Sequence, residues 1–303
     1  MSVASLSNQK VALVTGATGF TGRYVKDSLE RAGYAVHGWS HGGPALPNTY
    51  RVDMVDREQV RTAVASLQPE VVVHLAAISF VAHGDVDGIY RLNVVGTRNL
   101  LDALAANAKR PARVLLASSA NIYGNAGGLI SEDVMPSPQN DYAVSKLAME
   151  YMAKLWAEVL PITIIRPFNY TGVGQSSKFL LPKIVQHFQK RAAVMELGNV
   201  DVSRDFYDVR CVAEAITRLV SSVKTEGVYN ISSGNEYSLR DVVDIVADIA
   251  DHQLEVVVNP AFVRDNEVKS LRGDNRRLID KIGTLPEFDL RKTLAWMFEN
   301  PVI

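Results

Sequence analysis

The 303-residue chain carries a single cysteine, Cys211, so an intrachain disulfide is excluded as a source of stability. It also lacks an excess of either charge: 32 Lys and Arg stand against 33 Asp and Glu, for a net charge of -1. The basic footprint that grips a nucleic-acid backbone is therefore missing, and nucleic acid is not an expected partner. No apolar run approaches the ~20 residues of a membrane span, so a soluble protein is expected. The six histidines, His37, His41, His74, His83, His187 and His252, show no paired ligand spacing, and no metal site is expected. The opening MSVASLSNQK runs into a short apolar stretch broken by Gly16 and Gly19, unlike a signal sequence, so the expected compartment is the cytoplasm. No repeat or low-complexity segment supports a solenoid or a disordered chain.

What is present is an ordinary globular mixture, 47% hydrophobic and 21% charged, long enough for two domains. Short β-branched runs at Lys10–Thr15, Ala35–Trp39, Val71–Leu75, Arg113–Ser118 and Ile162–Arg166 alternate with amphipathic stretches. VVVHL and VLLAS show no polar alternation, as expected of parallel strands buried on both faces. Helices are expected near Thr21–Arg31, Arg57–Ser66, Val86–Asn107 and Tyr142–Glu158. The pattern predicts an α/β protein: a Rossmann-type doubly wound parallel sheet over residues 1–166, then a smaller C-terminal α/β substrate-binding lobe over 167–303. Within that lobe a helix is expected near Lys178–Arg191 and another over Leu239–Ala250, and a strand near 227–232 is expected to return to the main sheet.

The segment VTGATGFTG ends the first strand and opens the first helix, with Gly16, Gly19 and Gly22 spaced by three. Such glycines permit a tight turn, let backbone N–H groups approach a pyrophosphate, and let helix and strand pack closely. The spacing departs from G-x-G-x-x-G. Where an acid would bind a ribose 2′-hydroxyl, the second strand ends in Gly38, Trp39, Ser40 and His41. That absence favours NADP(H), with NAD(H) still possible, although no Arg is clearly placed by sequence to complete a phosphate clamp. Asp53 suits either the adenine amine or a helix cap before Arg57.

Ser119 follows the Arg113–Ser118 strand at the sheet's carboxyl end, where doubly wound proteins place their chemistry. Tyr142 and Lys146 stand four residues apart, one helical turn along the same face. A neighbouring ammonium stabilises phenolate, which makes Tyr142 a usable proton donor or acceptor near neutral pH. With Ser119 donating a hydrogen bond to a substrate oxygen, the set fits a carbonyl and alcohol pair. Cys211, in VRCVAEAI, reads as a small core residue.

Nearly the whole chain resembles the extended short-chain dehydrogenase/reductases, the family of nucleotide-sugar epimerases, dehydratases and ketoreductases. The resemblance rests on TGATGFTG at 15–22, Asp53, HLAA at 74–77, NVVGT at 93–97, SSANIYG at 118–124, YAVSK at 142–146 and RPFN at 166–169. It implies catalysis by Ser119, Tyr142 and Lys146. The cofactor would meet Gly16, Thr18, Gly19, Phe20, Gly22, Ser40, Asp53, Met54, Leu75, Ala76, Ala77, Asn93, Tyr142, Lys146 and Pro167. Dehydratases of the family carry an acid two places after the catalytic Ser or Thr; Asn121 stands there, which counts against dehydration unless Glu132 or Asp133 substitutes.

RPFNYTGVGQ at 166–175, VSRDFYDV at 202–209 and the stretch at 263–278 resemble the GDP-sugar branch, its 4-keto-6-deoxymannose reductases above all. The implied substrate is a GDP-linked keto-deoxysugar reduced at C-4 to a mannose-, rhamnose- or talose-type product. Ser119 and Asn121 would face the sugar. Arg204, Arg264 and Asn169 would hold the diphosphate and Glu267 a ribose hydroxyl, with Asp265 replacing the branch's proline. For Arg204 an ion pair with Asp205 or Asp208 is the competing reading. The resemblance further implies a homodimer, with Tyr151, Leu155 and Trp156 at a helical seam or simply on an apolar face. Two alternatives stay open: a sugar-nucleotide 4-epimerase or GDP-mannose 4,6-dehydratase, and a non-catalytic NADP(H)-binding sensor.

Overall fold

A computed structural model describes residues 9–42, 46–79, 84–260 and 270–301. The chain divides into two compact units. The first comprises residues 1–124, 138–166 and 213–229 and is built on a seven-stranded sheet. Its strands are β1 (Val11–Thr15), β2 (Ala35–Ser40), β3 (Thr49–Arg51), β4 (Val71–His74), β5 (Arg113–Ala117), β6 (Ile162–Pro167) and β7 (Gly227–Ile231). They lie in the order β7-β6-β5-β4-β1-β2-β3. Every pairing from β3 through to β6 is parallel. The order reverses between β1 and β4, so the carboxyl ends of these two strands border the crevice in which such sheets bind ligands.

The helices of this unit include α1 (Phe20–Arg31), α2 (Arg57–Leu67), α3 (Val86–Tyr90), α4 (Thr97–Ala106) and α5 (Asp141–Ala153). The expected single helix over Val86–Asn107 is interrupted by a π-helical turn at Arg91–Gly96. Such wider turns are common at functional sites, and this one carries the buried Asn93. The helix expected to reach Glu158 ends at Ala153 and tightens into a 3₁₀ turn over Lys154–Trp156. Leu13, Val72, Leu100 and Leu116 are fully buried in the core that β1, β4, α4 and β5 share, each contributing about 2–3 kcal/mol by leaving water.

The second unit comprises residues 125–137, 167–212 and 230–303. Its four-stranded sheet pairs Tyr237–Ser238, Ser203–Arg204, Ser270–Gly273 and Gly128–Ile130, in that order. Residues 125–137 join this unit because Leu129 pairs with Arg272, far along the chain. Two further parallel pairs join Asn169–Thr171 to Phe206–Asp208, and Val194–Leu197 to Glu255–Val258. Helix α6 (Leu180–Gln189) is followed by α7 (Val209–Ser221), which starts here and ends in the first unit. Then come α8 (Leu239–Ala250), α9 (Arg276–Ile282) and α10 (Leu290–Glu299). Ile184, Phe188, Val242, Val246 and Leu294 form the core between α6, α8 and α10. α8 opens with a reciprocal cap in which Ser238 and Asp241 satisfy each other's backbone N–H.

Candidate active site

The turn after β1 needs its glycines for different reasons. Gly16 has φ +70, and a Cβ there would stand 2.9 Å from the Ala76 nitrogen. At Gly22 a Cβ would fall 2.1 Å from the Gly16 carbonyl oxygen, so α1 lies against the turn at a distance only glycine permits. The Gly16 and Ala17 N–H groups both donate to the Trp39 carbonyl, at 2.8 and 3.2 Å, tying the turn to β2. α1 begins with neither a side-chain cap nor an acidic residue in its first turn, so its positive end is not neutralised from within. This is the cradle a dinucleotide pyrophosphate requires, and the residues present fit one.

Behind the turn runs a buried polar chain whose proton directions follow from counting donors. Thr97 Oγ1 donates to the Asn93 carbonyl at 2.8 Å, so it accepts from His74 Nε2, also at 2.8 Å. His74 Nδ1 is then the acceptor for Thr15 Oγ1 at 2.7 Å, and Thr15 Oγ1 accepts from the Ala76 N–H at 3.2 Å. His74 is therefore neutral with its proton on Nε2. Burial, reinforced by the Lys146 charge, pushes its pKa down to about 3, in keeping with that state. Asn93 grips Ile78 through both backbone groups and donates to Ser145 Oγ at 3.0 Å. Ser145 in turn donates to the Tyr142 carbonyl at 2.7 Å, which links the loop after β4 to helix α5.

On α5, Tyr142 and Lys146 are both buried. Asn140 caps the helix by accepting from the Ala143 N–H at 2.9 Å, which fixes the turn that carries Tyr142. Lys146 Nζ donates to the Ala117 carbonyl at 2.7 Å, anchoring α5 at the end of β5, two residues before Ser119. Burial pushes the Lys146 pKa down to about 8, with the Glu150 charge pulling upward. Ser119 caps the 3₁₀ turn Ala120–Tyr123 by accepting from the Asn121 N–H at 3.1 Å. α5 packs on this turn, so the structure brings the Ser119 segment and the Tyr142 helix together.

Sequence reasoning missed what lies one turn beyond Lys146. Glu150 takes two hydrogen bonds from Arg166, at 3.0 and 2.7 Å, and Arg166 also donates to the Tyr123 hydroxyl at 2.9 Å. This buried set ties α5, the end of β6 and the Ser119 loop into one piece. The signals were an acid four residues after Lys146 and a lone cation closing the apolar strand ITII.

The remaining expected residues fall as follows. Asp53 is not the cap of α2: Asp56 accepts from the Gln59 N–H, while Asp53 Oδ1 accepts from Val55 N–H at 2.9 Å. Met54 is buried, and Leu75, Ala76 and Ala77 follow β4 directly. Thr18 Oγ1 donates to the Gly42 carbonyl at 3.0 Å, drawing the loop after Ser40 toward the glycine turn. Phe20 opens α1 and Pro167 closes β6. In the second unit Asn169 stands in register with Phe206, two residues beyond Arg204. Neither acid weighed as a partner for Arg204 is idle: Asp208 pairs with Arg210 at 2.7 Å, and Asp205 receives Ser233 and Gly234. Arg264 and Glu267 lie outside the described residues. Burial pushes the Cys211 thiol up to about 11, which makes it unreactive.

The pattern of the NAD dependent epimerase/dehydratase family matches residues 12–232. A GDP-6-deoxy-D-talose 4-dehydrogenase of Aggregatibacter actinomycetemcomitans is 33% identical, over 96% of this chain and 98% of that one. A GDP-6-deoxy-D-mannose reductase of Pseudomonas aeruginosa is 35% identical over 93% of each. Among solved structures, a candidate epimerase from Burkholderia cenocepacia J2315 is 49% identical with a TM-score of 0.91, over 96% of this chain and 97% of that one. RMD from Pseudomonas aeruginosa complexed with NADPH is 32% identical with a TM-score of 0.84 over the same shares. Fold and sequence together place the chain in the NAD dependent epimerase/dehydratase family.

Proposed function

We propose that the protein reduces a GDP-linked 4-keto-6-deoxyhexose at C-4, using NADP(H), to a mannose-, rhamnose- or talose-type GDP-6-deoxyhexose. The observation that carries this reading is the anchoring of Lys146 on the Ala117 carbonyl, which sets Tyr142 and its cation beside the Ser119 turn. The two GDP-deoxysugar enzymes among the relatives support the substrate class, and the NADPH-bound neighbour supports the cofactor.

When bound, NADP(H) supplies the hydride that adds to the ketone carbon. Ser119 spends its acceptor on the Asn121 N–H, leaving its O–H to donate to the ketone oxygen. Tyr142 gives its phenolic proton to that oxygen as the alcohol forms, and the Lys146 ammonium stabilises the phenolate left behind. Lys146 also serves the nicotinamide ribose, Gly16, Gly19 and Gly22 the pyrophosphate, and Asp53 the adenine amine. Asn169 and Arg204, with Arg264 and Glu267, hold the GDP portion. Asn121 cannot shuttle a proton as a carboxylate does, and Glu132 and Asp133 are held by Asn230 and Arg277, which weighs against a dehydratase.

The reading is tested by mixing the enzyme with NADPH and GDP-4-keto-6-deoxymannose and following cofactor and sugar together. One NADPH consumed per keto sugar, with a new carbinol proton at C-4, is the expected result. Turnover of a sugar nucleotide with no net loss of NADPH would instead mark an epimerase or a dehydratase, and NADPH binding without oxidation a sensor.

We also propose that two copies pair through α5. Val144, Tyr151 and Leu155 form an exposed apolar stripe at helical spacing, and Val95 on the adjoining π turn is exposed as well. Trp156 does not join the stripe, because it packs on the core instead. Light scattering is expected to give twice the chain mass, with Tyr151→Glu giving a monomer; a wild-type monomer would refute the pairing. The buried, unpaired Cys211 suits a reducing compartment such as the cytoplasm.

A further inference from the structure

The sequence shows an acid-free end to β2 but no obvious cation to replace the acid. The fold supplies two. Arg23 sits in the first turns of α1, and its Nε donates to the Thr18 carbonyl at 3.2 Å. Thr18 is the residue whose hydroxyl holds the Gly42 carbonyl, so the Arg23 guanidinium is tethered where the glycine turn meets the loop after β2. Arg51 closes β3 directly opposite Ser40 in the parallel register. It shares a pleat face with Thr49, and Thr49 lines the side of Gly38 that also meets Ala17 of the glycine turn. Arg23 and Arg51 thus flank Ser40–Gly42 from the helix side and the strand side.

Among the described residues, no acid neutralises either guanidinium. Asp27, one helical turn beyond Arg23, is the ordinary surface partner, yet no ion pair joins them. Arg51 makes no hydrogen bond or ion pair among the described residues, and both side chains are exposed. Lys26, the next cation along α1, is already committed to the Pro47 carbonyl and to Glu30. Two guanidinium groups with no acidic partner among the described residues, beside a strand end made of Ser40, His41 and Gly42, form a site for a dianion.

We propose that Arg23 and Arg51 together grip the 2′-phosphate of NADP(H) and so set the cofactor preference. This rests on the NADP(H) reading above. Adenosine 2′,5′-bisphosphate and 5′-AMP differ only in that phosphate, and calorimetric titration of the full-length protein with each isolates its contribution. The wild type is expected to prefer the bisphosphate, and Arg23→Ser and Arg51→Ser each to weaken it by about ten-fold or more while moving 5′-AMP by about two-fold at most. The double variant is expected to bind the two nucleotides alike, with an unchanged melting temperature because both side chains are exposed. If the double variant keeps the wild-type preference, these two residues are not the clamp although the cofactor reading stands. If the wild type itself shows no preference, both the clamp and the NADP(H) reading fall.

Discussion

Replacing Tyr142 by Phe is expected to lower turnover of the keto sugar by about a thousand-fold while leaving the melting temperature and NADPH affinity near wild type. The size follows from what is removed. Phe keeps the ring that fills the buried site but cannot give a proton to the ketone oxygen, so charge builds up there with only the Ser119 hydrogen bond to stabilise it. The surrounding scaffold is held by other groups: Asn140 caps α5, Ser145 grips the Tyr142 main chain, and Lys146 holds the Ala117 carbonyl. Single-turnover kinetics would separate this from a binding defect, since the loss should fall on kcat rather than on KM. Near-wild-type turnover in a folded Tyr142→Phe protein would remove the phenol from the chemistry.

The second large effect is expected at the glycine turn, where two neighbouring glycines should behave differently. Gly22→Ala places a methyl 2.1 Å from the Gly16 carbonyl oxygen and 2.8 Å from the Ala17 Cα, both backbone atoms with no freedom to yield. α1 must then lift from the turn, which costs about 3 kcal/mol or more, a fall of about 6–12 °C in melting temperature. Because the same shift spoils the alignment of helix and turn on the pyrophosphate, NADPH affinity should drop by about a hundred-fold or more. At Gly19 the closest atom to a new methyl is the Gly16 oxygen, at 3.2 Å, so Gly19→Ala should leave the melting temperature within about 3 °C. Thermal scans of the two variants decide the matter. Equal stability would mean that Gly22 does not mediate the close packing assigned to it.

The first unit was legible because its central strands are buried on both faces and therefore carry apolar runs without polar alternation, VVV at 71–73 and VLLA at 114–117 among them. Its glycine turn and the Tyr142 and Lys146 spacing were legible for a related reason: each is local, complete within one turn of chain. What escaped depends on distant partners. The pairing of Glu150 with Arg166 joins a helix to a strand 16 residues on. The placement of Arg51 beside Ser40 follows from the register of β2 and β3, which no local pattern announces. Strands of two residues such as Ser203–Arg204 and Tyr237–Ser238 carry no periodicity at all, so the second unit's sheet is invisible before its pairings are known. At Asp53 and Asp56 two acids competed for one cap, and position relative to the first helical N–H groups chose the later one.

On the proposed function, hydride reaches the C-4 carbon of a keto sugar held at the Ser119 and Tyr142 site. The decisive experiment supplies GDP-4-keto-6-deoxymannose and NADPH deuterated at the transferable position and reads the sugar product by NMR. One deuterium on C-4 of a GDP-6-deoxyhexose is expected for each NADPH oxidised; a sugar product without deuterium, or no oxidation of the cofactor, would rule out hydride transfer to C-4 at this site.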